Sequence, residues 1–200
     1  MKTRSILITM TALIVFSLSN CGGNKKEPEE QAGHDEQVPE SAKEATQHQF
    51  TVDAAFQDQL TNVFKSYVSL KEAFVSSDAS KVAMEATTTL DALNQVDMKL
   101  LTGASHNDWM TYLAGMETAL KAIGSASDIE VQREAFSDLS QSLYKSIKAY
   151  GLDGATAYYE FCPMAFDNQG GYWLSDATEI RNPYFGDKML TCGSVRDTLK

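Results

Sequence analysis

Four sulfur-bearing side chains near the end of the 200-residue chain have types and spacings suited to chemistry: Cys162 and Met164, then Met189 and Cys192. Residues two apart share one face of an extended segment, and residues three apart share one face of a helical turn. The first pair fits the extended case and the second pair the helical one. Should the two pieces meet, two thiols and two thioethers converge. Such soft donors select Cu(I), and by the same softness Ag(I), over Mg, Ca or Mn. The cysteines have a second use open to them, a Cys162–Cys192 disulfide. Its loop of about thirty residues would stabilise the fold by roughly 3.6 kcal/mol on chain-entropy grounds.

Other chemistries lack their residues. The close Cys-x-x-Cys pair of structural zinc sites and thiol oxidoreductases is missing. There is no Ser-His-Asp order, phosphate-cradling glycine loop or metal-hydrolase motif, and Glu160, Asp167, Asp176 and Glu179 have no identifiable base or nucleophile partner. No catalytic residue is assigned, and the chain is read as a non-enzyme. A formal net charge of -10 argues against nucleic acid as a partner.

The sulfurs must be positioned by what precedes them. From Val52 onward, Phe56, Leu60, Val63, Phe64, Tyr67, Val68, Leu70 and Phe74 recur at helical steps. Asp78 is a candidate N-cap for a second helix carrying Val82, Met84, Leu90, Leu93 and Leu100, ending near Gly103. His106, Asn107 or Asp108 opens a third, with Trp109, Leu113, Met116, Leu120 and Ile123 inward. Ser127-Asp128-Ile129-Glu130 matches a capping box for a fourth, which holds Val131, Phe136, Leu139, Leu143 and Ile147 and ends at Gly151. Met84, Met98, Met110 and Met116 read as core fillers. Four amphipathic helices with short links predict a mainly α fold, an antiparallel four-helix up-and-down bundle.

After Gly154 the period changes. Thr156 to Phe161 favours an extended piece, Asn168 to Gly171 a turn, and Tyr172 to Ser175 a second extended piece. Asn182-Pro183 suits the start of a short final helical turn over Tyr184 to Leu190. This small extended or β arm, residues 155–193, completes a domain over residues 51–200. Its aromatics, Tyr158, Tyr159, Trp173, Tyr184 and Phe185, either dock a partner or cover the open end of the helices.

At the other end, Lys2 and Arg4 precede an apolar run from Ile6 to Leu18, the pattern of a signal peptide over residues 1–20. Leu18-Ser19-Asn20-Cys21 resembles the lipobox of bacterial lipoproteins, which implies lipidation of Cys21. Export places the other two cysteines in an oxidising compartment. Residues 21–50 are polar and poor in large apolar groups, as expected of a flexible acidic tether, with His34 and His48 read as solvated.

The strings Cys162-Pro163-Met164-Ala165, Gly171-Tyr172-Trp173-Leu174-Ser175, Ile180 to Gly186 and Met189-Leu190-Thr191-Cys192-Gly193 resemble a helical domain of unknown function. That domain occurs in small bacterial lipoproteins and at the C-terminal end of periplasmic adaptor subunits of copper- and silver-type heavy-metal efflux pumps. The resemblance implies residence in the cell envelope, anchored by lipid at the outer membrane, with a heavy-metal efflux component as partner. Two functions are expected: a soft-metal-binding or efflux-accessory protein, or a non-catalytic, disulfide-stapled interaction module.

Overall fold

The computed structural model describes residues 48–200. The signal segment, Cys21 and the tether before residue 48 lie outside the described residues.

Helix α1 spans Ala54–Val75, and its cap is Asp53, whose carboxylate accepts from the Ala55 N–H at 2.8 Å. Seven of its eight expected apolar residues are buried, and Val68 is partly buried against the core. Helix α2 spans Ala79–Asn94 and starts as expected, with Asp78 accepting from the N–H groups of Ser80 and Lys81 at 3.1 and 3.0 Å. It stops well before Gly103. The Asp97 carboxylate accepts from Lys99 N–H at 3.0 Å and opens a separate 3-10 turn, Met98–Leu100, while Gln59 accepts from Asp97 N–H at 2.8 Å. Helix α3 therefore begins at Gly103, ahead of the expected start, and runs to Ser125.

Helix α4 spans Ile129–Tyr150. Its cap is Asp128, one residue beyond the expected Ser127, because the Asp128 carboxylate takes the Glu130 N–H at 2.7 Å. The Glu130 side chain turns to Arg133 at 2.6 Å instead of reaching back. Gly151 follows with φ +77°, and the His48 ring lies over it, so this histidine is packed against the fold and not solvated. Phe50 N–H donates to Ala149 O at 2.9 Å and the Phe50 ring stacks on Tyr150.

The chain is thus mainly helical, with four long helices and a small sheet. Each helix lies against the next in sequence, and α4 also meets α1. Of the four core-filling methionines only Met116 is buried; Met84, Met98 and Met110 are exposed, as is Val131.

Three strands follow: β1 (Ala157–Cys162), β2 (Gly171–Ser175) and β3 (Ser194–Leu199). The order is β2-β1-β3, antiparallel throughout. In the β1/β2 hairpin Tyr158 faces Ser175 and Cys162 faces Gly171. The β1/β3 pair runs from Ala157 opposite Leu199 to Phe161 opposite Ser194, with a bulge at Tyr159/Glu160. The third strand was not among the two expected extended pieces. Ser194-Val195-Arg196-Asp197-Thr198 is polar and largely exposed, and only Leu199 is buried. The final helical turn shrinks to a 3-10 turn, Gly186–Lys188.

Sheet and helices share one core. Trp173, Leu174, Tyr184 and Leu199 join the helical apolar residues in a single cluster. The Tyr67 hydroxyl pairs with Ser140 Oγ at 2.7 Å and accepts from Leu174 N–H at 3.1 Å, which joins α1, α4 and β2 at one buried atom.

Candidate functional site

Strand β1 ends on Cys162, which has no exposed surface. Beyond Pro163 the chain makes a tight turn in which Phe166, Asp167 and Asn168 have φ of 52°, 55° and 67°. Three consecutive non-glycine residues in the left-handed region are strained, at roughly 1–3 kcal/mol each. The turn persists because it is held from two sides. Gly170 N–H donates to Ala165 O at 2.9 Å, and the Phe166 ring meets Tyr184 edge-on at 5.0 Å.

The return segment is organised by Asn182, fully buried. Its Oδ1 accepts from Tyr184 N–H at 2.8 Å, its Nδ2 donates to Cys192 O at 2.7 Å, and its own N–H donates to Leu190 O at 2.8 Å. One side chain thereby closes the ten-residue loop and delivers Cys192 back to β1. Gly193 completes the approach: a side chain there would meet the Trp173 ring at 2.8 Å and Phe161 O at 3.2 Å.

The result brings the two cysteines side by side as free thiols. Burial pushes the Cys192 thiol up to about 11, helped by the neighbouring Cys162, against the opposing pull of the Met164 backbone N–H. Met164 and Met189 are 44% and 39% exposed and line one cavity of about 400 Å³ beside α4, with Phe166, Asp167, Glu130 and Glu134. Cys192 N–H also donates to Met189 O at 3.0 Å. The thiols therefore lie side by side, the thioethers share a cavity, and a backbone hydrogen bond links the two pairs. Among the described residues no group of three or more His, Cys, Asp and Glu side chains converges.

The structure adds a polar cluster that helical patterning hides. Glu160, on the central strand two residues before Cys162, is fully buried with both carboxylate oxygens unpartnered, and the Trp173 indole N–H is unpartnered too. Burial raises Glu160 to about 7; Lys71 and the nearby indole pull it down, without the indole reaching hydrogen-bond geometry, and Asp176 pushes it up. Lys71, 2% exposed, lies 2.6 Å from Glu72 and donates to Ser175 Oγ at 3.5 Å. Arg181 grips Glu72 through Nε at 3.0 Å and Nη2 at 2.8 Å, anchoring the return segment to α1. Burial pushes Glu72 up, but Arg181 and Lys71 outweigh it and hold the carboxyl below its ordinary range. The signal was present in the sequence: residue 71 falls on the same stripe as Tyr67 and Phe74.

The arm's aromatics turn inward. Tyr159, Trp173 and Tyr184 are buried, and Tyr158 and Phe185 half-buried, so the first three are not available to a docking partner. Tyr144, Tyr159 and Tyr172 instead stack in series at 3.9 and 4.8 Å, with Phe161 beyond.

The helical part can be placed by comparison. Residues 63–154 match the model of a family described as a protein of unknown function, DUF3347. The match begins within α1 and ends before β1, so the sulfur arm lies beyond it. The chain thus carries a domain of unknown function, matched over a shorter stretch than the resemblance read from the arm's motifs. No curated protein and no solved structure matches the chain.

Proposed function

We propose that the chain is a lipid-anchored protein of the bacterial cell envelope that binds a soft monovalent cation, Cu(I) or Ag(I), in its C-terminal arm and serves a heavy-metal efflux component. The Cys162 and Cys192 thiols, as thiolates, are the principal donors, and the Met164 and Met189 thioethers supplement them. The observation that carries this reading is the contact of two free thiols, 30 positions apart in the sequence, beside a cavity lined by two exposed thioethers. The four helices, taken as an antiparallel up-and-down bundle, are its scaffold, and lipid on Cys21 its anchor. The role is non-catalytic.

Metal loading replaces each S–H bond by an S–metal bond and releases a proton to solvent. Two thiolates and a +1 ion leave one net negative charge on the loaded site. Titration of the reduced chain with Cu(I) against a competing chelator tests the proposal. Sub-micromolar binding that Cys162→Ser abolishes supports it, and no binding by the reduced wild type refutes it. The thiol contact also suits a second reading, a disulfide-stapled interaction module docking an envelope partner. Thiol counts before and after reduction separate the two: a pair that stays oxidised as isolated and binds no Cu(I) once reduced leaves only the staple.

A further inference from the structure

Exposure grades the four sulfurs, with Cys192 partly exposed between the extremes. Cys162 is wholly enclosed, whereas Met164 and Met189 keep 44% and 39% of their surface open. Met84, Met98 and Met110 are open to a similar degree or more, so exposure alone does not set these two apart. What does is that Met164 and Met189, 25 positions apart in the sequence, line one cavity. The cavity rim has its own charge pattern. Arg133 is engaged by Glu130 at 2.6 Å, by Pro183 O at 3.0 Å and by Ser77 Oγ at 2.9 Å, which leaves Glu134 and Asp167 as carboxylates in excess. Excess negative charge in a recess raises local cation concentration. Met189 is also one backbone hydrogen bond from the thiol pair, its carbonyl accepting from Cys192 N–H at 3.0 Å, and Met164 is two residues from Cys162.

We infer that Met164 and Met189 form an outer capture site that takes the soft cation from solution before it reaches Cys162 and Cys192, which form the inner holding site. This rests on the soft-metal reading above and adds an order and a division of labour to it. A thioether is neutral at every ordinary pH and binds Cu(I) or Ag(I) through a sulfur lone pair with no proton to lose. In the capture step only sulfur–metal bonds form. In the transfer step those bonds give way to thiolate–metal bonds, each cysteine proton leaves to solvent, the metal stays monovalent and no electron moves. Met164 follows Cys162 by two residues and Met189 precedes Cys192 by three, so each capture residue is joined to a holding residue by a short piece of backbone.

The test is anaerobic stopped-flow loading of the reduced full chain with Cu(I) delivered from a chromophoric chelator. Wild type is compared with Met164→Leu/Met189→Leu and with Cys162→Ser/Cys192→Ser, leucine preserving side-chain volume and far-UV circular dichroism checking the fold. The leucine pair should slow uptake at least about tenfold while changing end-point affinity less than about threefold, and the serine pair should keep a fast, weak, reversible phase and lose retention. Leucine variants that load at the wild-type rate overturn the inference alone. So does a leucine pair whose end-point affinity falls as far as that of the serine pair, since the thioethers would then be co-ligands of one site. A reduced wild type that takes up no Cu(I) overturns the soft-metal reading itself.

Discussion

The helices and the arm keep different rules. In α1 to α4 the buried residues are largely apolar, three of the four helices start on an aspartate whose carboxylate accepts a backbone N–H, and the longest side chains pair as stacked or edge-on rings. In the arm three non-glycine residues sit in left-handed backbone, a carboxylate is buried without a partner, and two thiols touch without a bond between them. Local rules are broken most densely where a protein has something to do besides fold. The family match stops at residue 154, so the boundary between the two regimes is also the boundary of the matched domain. Yet both regions share one core, and this makes the contrast testable.

The largest effect expected is from Trp173→Ala, which empties a fully buried site and should cost about 4 kcal/mol, close to Met116→Ala in α3 at about 3 kcal/mol. Urea unfolding followed by far-UV and near-UV circular dichroism should show one transition for both variants. Two separated transitions in Trp173→Ala would mean that the arm unfolds on its own.

Next comes pH. The folded-state pKa of Glu160 is raised from 4.5 to about 7, so the folded protein holds a proton that the unfolded chain has lost. That contribution is complete below about 4.5 and is lost as pH rises through about 7, a fall of roughly 3 kcal/mol. Glu72 and Asp197, both lowered, act in the opposite sense at acid pH. Glu160→Gln should flatten the decline between pH 5 and 8 and leave the acid limb intact. An unchanged slope in denaturant titrations across that range would show that the carboxyl is solvated.

Two smaller effects mark the edges of the contrast. Asp128→Ala should cost about 1 kcal/mol by removing the α4 cap, whereas Ser127→Ala should be near neutral, and thermal melts of equal cost would restore the serine as the cap. Asp167→Gly, at φ 55°, should stabilise the arm by up to about 1 kcal/mol, since glycine relieves left-handed strain. A loss of stability there would mean that the aspartate side chain supports the turn.

The apolar faces of the helices were readable because their spacing is set by backbone geometry alone. Asp78 was readable as a cap for the same local reason. Boundaries were not, because Asp97 diverts the chain into a 3-10 turn through its own side chain. The stripe on α1 is broken by Lys71, whose partners Glu72 and Ser175 include one 104 residues distant. The exposed Met84, Met98 and Met110 show the limit of periodicity, which places a residue on a face without saying what covers that face. In the arm the pairing of sulfurs in sequence was visible, but what brings Cys192 to Cys162 is Asn182, a residue read only as a helix start. Strand β3 escaped notice because an edge strand needs little apolar content.

The buried hydroxyl of Tyr67 has one more consequence. By accepting the Leu174 N–H it occupies a donor on the outer side of β2, the edge at which a foreign strand would add. The Ser140 contact fixes that hydroxyl from behind. The Tyr184 hydroxyl donates to Tyr172 O on the same strand, so two phenols occupy β2 backbone groups, and the sheet is left open beyond β3, where Ser194, Val195 and Arg196 are exposed. Growth of this sheet by strand addition has a direction, and two tyrosine hydroxyls set it.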